Sequence, residues 1–140
     1  SFYFGGAFQK ADSTAKAYSA LAPDSIYGYY WSALALSAID TSGEQGLAVP
    51  SYEKTLEIAE KDKDRFKSQG VRAATTLAIY SFNVKNDKEA ALAYADRGLV
   101  FDPTNANLLN VKNVAGAKQQ APAKETKVKT ENGKTKVKKG

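Results

Sequence analysis

The 140-residue chain contains neither cysteine nor histidine. The first absence excludes disulfides, thiolate nucleophiles and thiolate metal ligands. The second removes the commonest general base and the commonest zinc ligand. No apolar run approaches the ~18 residues that a membrane-spanning helix needs, so a soluble fragment is expected. The phosphate-cradling P-loop, the GxSxG elbow and the HExxH zinc motif are all missing. Gly5-Gly6 stands without GxGxxG or GKS/GKT surroundings and reads as a turn between two helices. Glu57 with Glu60, and Asp62 with Asp64, lie in charged sequence with no third ligand type nearby. They read as a solvated face, because a calcium site draws about six or more oxygens from a tightly ordered loop. No enzyme activity, cofactor or metal is expected. None of these absences fixes a compartment, and cytoplasm and periplasm both stay open. Ser1 is not an initiator methionine, so the chain reads as processed or truncated.

What is present is a foldable chain with a separate basic end. Hydrophobic residues make up 43%, enough for one modest core. The net charge of +5 is unevenly placed: residues 1–117 hold 12 Lys/Arg and 13 Asp/Glu, whereas residues 118–140 hold eight lysines and two glutamates. The basic character belongs to the tail.

Residues 85–105, KNDKEAALAYADRGLVFDPTN, carry the clearest pattern. Asn86 is placed to cap a helix, with Glu89 completing a capping box. Ala91, Tyr94, Ala95, Gly98 and Leu99 recur at three- and four-residue spacing and share one face. Asp102-Pro103 stops the helix, because the residue before a proline is pushed out of the helical region. Asn105 can cap the next helix. Pro23 ends a similar pattern, with Ala11, Ala15 and Tyr18 in the places of Ala91, Ala95 and Gly98.

Between these prolines, residues 26–40 (IYGYYWSALALSAID) predict a helix, residues 41–46 (TSGEQG) a loop, and Ala48 to Ile58 a helix with Pro50 in its first turn. Trp31 is expected to pack on a neighbouring helix. After a charged linker at 61–64, residues 65–84 predict a long helix, with Gly70 a weak point costing ~1 kcal/mol relative to alanine. Residues 106–118 predict a short final helix.

The Ala/aromatic/small/Asp-Pro spacing resembles the second helix of a tetratricopeptide (TPR) repeat. The resemblance covers about residues 2–118 and implies an all-α fold, a right-handed superhelix of stacked antiparallel helix pairs. Its repeats would be a partial first at 1–25, a second at 26–60, a third at 65–104 and a capping helix at 105–118. Residues 1–4 would then be the last turn of an incomplete helix, and the chain a C-terminal fragment of a longer bacterial-type protein. The two prolines are 80 residues apart, against ~68 for two 34-residue repeats, so about a dozen residues are inserted.

The resemblance further implies a non-enzymatic scaffold or adaptor that binds a peptide or protein segment in a concave groove. Carried over by register, the groove residues are Tyr3, Tyr27, Tyr30, Leu34, Thr76, Tyr80, Asn83, Asn107 and Asn110. Phe4, Ser37, Ala73 and Val114 complete the same register positions. No lysine or arginine falls at these positions, so a clamp for a terminal carboxylate is not expected. The alternative for the tyrosines is packing between helices. Phe2, Tyr3, Phe4 and Phe8 would expose apolar surface unless a missing helix or a second copy of the chain covers them. Residues 119–140 are either unstructured or a short β-hairpin around Asn132-Gly133. That tail supports a second function: binding an anionic surface, nucleic acid or membrane, through its lysines.

Overall fold

The computed structural model describes the backbone of residues 2–120 and the side chains of residues 6–116. Among these residues the chain is all-helical: α1 (Phe2–Leu21), α2 (Ile26–Ile39), α3 (Val49–Ala59), α4 (Lys67–Asn83), α5 (Lys88–Phe101) and α6 (Ala106–Gln120). Each helix packs on its sequence neighbours, and α4 also touches α6. The expected tail readings, and the apolar surface assigned to Phe2, Tyr3 and Phe4, fall on side chains outside the described residues. Phe8 is half-buried.

Small residues let the helices approach closely. Ala33, Ala59, Ala73, Ala74, Ala91 and Ala95 are fully buried. Larger side chains fill the spaces they leave, in two clusters. One gathers Ile26, Tyr52, Leu56 and Leu77 between α2, α3 and α4. The other gathers Ala78, Ala95, Leu108 and Val111 between α4, α5 and α6. The first helix is held to the second by a polar contact: the buried Ser32 hydroxyl donates to the buried Asp12 carboxylate, which also pairs with Lys16 at 2.9 Å. The two later pairs are joined by Arg97, whose Nε and an Nη donate to the two Glu60 carboxylate oxygens at 2.8 and 2.7 Å. The Tyr94 hydroxyl reaches Glu53 at 3.2 Å in the same gap.

The ends of the elements follow local chemistry. Ser25 caps α2, accepting from the Tyr27 N–H at 3.3 Å. Pro50 lies in the first turn of α3. Asn105 Oδ1 accepts from the Leu108 N–H at 3.0 Å and starts α6, and α5 ends at Asp102, before Pro103.

Three expectations are corrected. Asp87, not Asn86, caps α5, with its Oδ1 accepting from Ala90 N–H at 3.0 Å. Asn86 instead has φ 54°, a left-handed turn conformation that asparagine tolerates, and Glu89 is one place too early for a capping box. Gly5-Gly6 makes no turn: α1 runs unbroken from Phe2 to Leu21, so residues 2–4 belong to the same helix as Ala15. A glycine pair weakens a helix by about 1 kcal/mol per residue but, unlike proline, does not block its hydrogen bonds. Gly70 is a packing requirement: it is buried, and a Cβ there would lie 2.5 Å from the Phe101 ring, itself only 6% exposed.

This reverses the sign of a substitution. Gly70→Ala is expected to lower stability by about 1–2 kcal/mol through overpacking, although alanine is the better helix former. Gly116→Ala, where a Cβ meets nothing within 4 Å, should be neutral or stabilising by up to ~1 kcal/mol. Urea denaturation of both variants checks the contrast; equal shifts would show that Phe101 moves aside freely.

Candidate functional site

The chain's most distinctive surface is the seam between α2 and α4, which lie side by side with like ends together. At one end Tyr27 meets Phe66, the residue before α4, edge to face at 6.3 Å between ring centroids. At the other end Ser37 and Asp40 share a cavity of 230 Å³ with Thr76, Ile79, Tyr80 and Asn83.

Helical periodicity puts Tyr27, Tyr30, Trp31 and Leu34 on one stripe of α2. Tyr27, Tyr30 and Leu34 are partly buried. Trp31 touches Tyr18 of α1 and Tyr27, each at 5.7 Å between centroids, yet remains 50% exposed. It therefore packs on a neighbouring helix, as expected, while half of its surface faces out. The Arg65 guanidinium covers the Phe66 ring at 4.9 Å and continues the row. Across the seam, α4 exposes Arg72, Ile79 and Asn83, one turn or two apart, with Thr76 partly buried between them.

Arg72 is the seam residue that register reasoning missed. Ala73, expected in the groove, is fully buried in the core, and the preceding residue takes the exposed position. The guanidinium lies beside the Tyr52 hydroxyl and near Tyr30, and hydrogen bonding to the Tyr52 oxygen pushes its pKa further above the ordinary arginine value. The register positions named from the sequence carry no basic side chain, and Arg72 adds one beside them. The signal was present in the helix period: Arg72, Ile79 and Asn83 repeat at seven and four residues, and only a polar Arg72 fits the outward stripe.

The cavity end depends on a loop. Asp40 closes α2, its N–H donating to the Leu36 carbonyl, and its carboxylate accepts from the Gln45 and Leu47 N–H groups, both at 3.4 Å. Those bonds occupy the acid and fold the 41–48 loop back. Gly46, at φ 68°, lets the backbone pass under Tyr80: a Cβ there would lie 2.6 Å from the Tyr80 hydroxyl.

Of the nine expected groove residues, Thr76, Tyr80 and Asn83 line one cavity, while Tyr27, Tyr30 and Leu34 share the facing stripe of α2. Asn107 and Asn110 are exposed on α6, apart from these two rows, and the Tyr3 side chain lies outside the described residues. Among the described residues no cluster of carboxylates could hold a metal ion, and no helix is long and apolar enough to cross a membrane.

No protein-family model matches the chain, and no curated protein matches it. Among solved structures it is similar to the C-terminal part of a TPR repeat-containing protein from Cytophaga hutchinsonii, with a TM-score of 0.70 and 33% identity. The match covers 79% of this chain and 42% of that one, so the chain spans less than half of its structural neighbour. The fold is TPR-like: an all-α helical repeat.

The loop geometry generates a coupling test. Gly46→Ala is expected to cost about 1–2 kcal/mol from the left-handed backbone alone, plus displacement of Tyr80. In a Tyr80→Ala background the second cost disappears, so the double variant should be more stable than the sum of the single effects. Strictly additive urea midpoints would show that Tyr80 does not rest on Gly46.

Proposed function

We propose that this TPR-like chain is a non-enzymatic interaction module, a scaffold or adaptor that holds a peptide or protein segment along the α2–α4 seam. The observation that carries this reading is the seam itself: the half-exposed Trp31 and the partly buried Tyr27 and Tyr30 on α2 lie across from hydrogen-bonding side chains on α4, and the row runs into the Tyr80 cavity. Tyrosine and tryptophan offer large apolar area at low entropic cost, with a polar tip for the partner backbone. Non-enzymatic binding is in keeping with the fold, since stacked repeats present a face rather than a reaction centre.

In this reading the binding residues are Tyr27, Tyr30, Leu34, Thr76, Tyr80 and Asn83, with Asn107 and Asn110 extending the face along α6. The repeats run 26–60 and 65–104, after a partial repeat at 1–25 and before a cap at 105–118. The stack winds as a right-handed superhelix. The contact of α4 with α6, and the bonds of Arg97 and Tyr94 on α5 to Glu60 and Glu53 at the end and on the body of α3, support this alternation of inner and outer helices. Its partners are proteins or peptides.

A photo-crosslinking amino acid placed at Leu34 should capture a partner protein in cells that make the full chain. The same label at Val100, which is 60% exposed on α5, should not. Adducts formed at Val100 and absent at Leu34 would place binding on the other face and defeat the reading.

A further inference from the structure

We infer that the occupant of this seam is an extended acidic peptide, with a carboxylate on Arg72 and an apolar side chain against Trp31 and Tyr27. This rests on the seam being the binding face, and adds what the face selects.

The first support is how charge is distributed among the helices. The helices α2, α4 and α6 contain Lys67, Arg72, Lys112 and Lys118, and no acidic residue. Every helical acid lies on the other three: Asp12 on α1, Glu53 and Glu57 on α3, Glu89 and Asp96 on α5. Basic residues on those three helices balance the acids one for one. The helices that carry the seam thus bear only cations, and the layer behind them is neutral; the one carboxylate lining the cavity end, Asp40, is taken up by the Gln45 and Leu47 N–H groups.

The second support is the state of Arg72. The other cations of the pair interfaces are engaged: Arg97 by Glu60, Lys112 by Asp96 at 2.6 Å, Lys16 by Asp12. Arg72 has no carboxylate within ion-pair distance among the described residues, and it is exposed. It stands on the outward stripe of α4 with Thr76, Ile79 and Asn83, the last three lining the cavity. An exposed guanidinium without a counter-ion beside that cavity is the condition for receiving a carboxylate from outside.

The length fits a short segment. From Tyr27 to Ser37 α2 advances ~15 Å, which an extended peptide covers with about five residues. The half-exposed Trp31 anchors one end, Arg72 lies midway, and the cavity of Tyr80 and Asn83 receives the other end. A nucleic acid is the poorer fit, because residues 1–117 carry one more acidic than basic charge and their acids crowd the adjoining helices. The chain's own tail, with eight lysines against two glutamates, would meet like charge.

The test is selection of a random heptapeptide phage library on the full chain, followed by fluorescence anisotropy with the selected peptides. Enriched sequences should hold at least two acidic residues and one aromatic or aliphatic residue. Replacing their acids by amides, or Arg72→Gln in the protein, should weaken binding about ten- to a hundredfold and flatten its salt dependence. Trp31→Ala should weaken it comparably, and Arg72→Glu should shift selection towards basic peptides. Circular dichroism of each variant confirms the fold. Neutral or basic consensus sequences, acidic binders indifferent to Arg72, or no binders at all would each overturn the inference. So would duplex DNA or anionic vesicles bound more tightly than the peptides and with the same Arg72 dependence. The Leu34 crosslink does not depend on any of these results, so loss of acidic preference and loss of the seam are separately visible.

Discussion

Close contact over alanine is the constraint on which this molecule depends. A fully buried Ala33, Ala73, Ala74, Ala91 or Ala95 leaves no room for an extra methylene, so each helix axis is fixed by what its neighbour lacks. The larger side chains, Tyr52, Leu56, Leu77 and Leu108, then lock the rotation of each helix. Rotation matters more than position here. A turn of one residue in α4 decides whether Ala73 or Arg72 faces outward, and with it whether the seam carries a cation.

The polar links lie where they do not interfere with that surface. Arg97 with Glu60, and Tyr94 with Glu53, connect α3 to α5. Asp12 and Ser32 connect α1 to α2. Lys112 with Asp96 joins α6 to α5, and Lys16 with Asp12 and Lys54 with Glu57 stay within single helices. None of these ion pairs draws on the Tyr27, Tyr30, Trp31 and Leu34 stripe of α2.

Much of this was legible in the sequence. The Ala/Tyr/Gly spacing before Asp102-Pro103, the proline in the first turn of α3 and the Asn105 cap all specify elements through local chemistry, and local chemistry is what a sequence displays. What was not legible depended on contacts between distant residues. Gly70 looked like a flaw until Phe101, 31 residues on, was found against it. A repeat register turns Ala73 outward by analogy, whereas Tyr52 and Leu56 of α3 set the core of α4 and leave Arg72 outside. Gly5-Gly6 reads as a turn in the sequence yet continues α1, because glycine permits a break without requiring one. The Tyr18–Trp31–Tyr27 row could not be anticipated, since it draws on two helices whose relative rotation no local pattern encodes.

The forked bond between Arg97 and Glu60 has a mechanical consequence. Two parallel hydrogen bonds hold the guanidinium plane against the carboxylate plane, and the Tyr94 hydroxyl on Glu53 adds a second attachment seven residues earlier along the chain of α3. Two fastenings at separate heights set the angle between α3 and α5 as well as their spacing, as two nails, unlike one, stop a board from swinging.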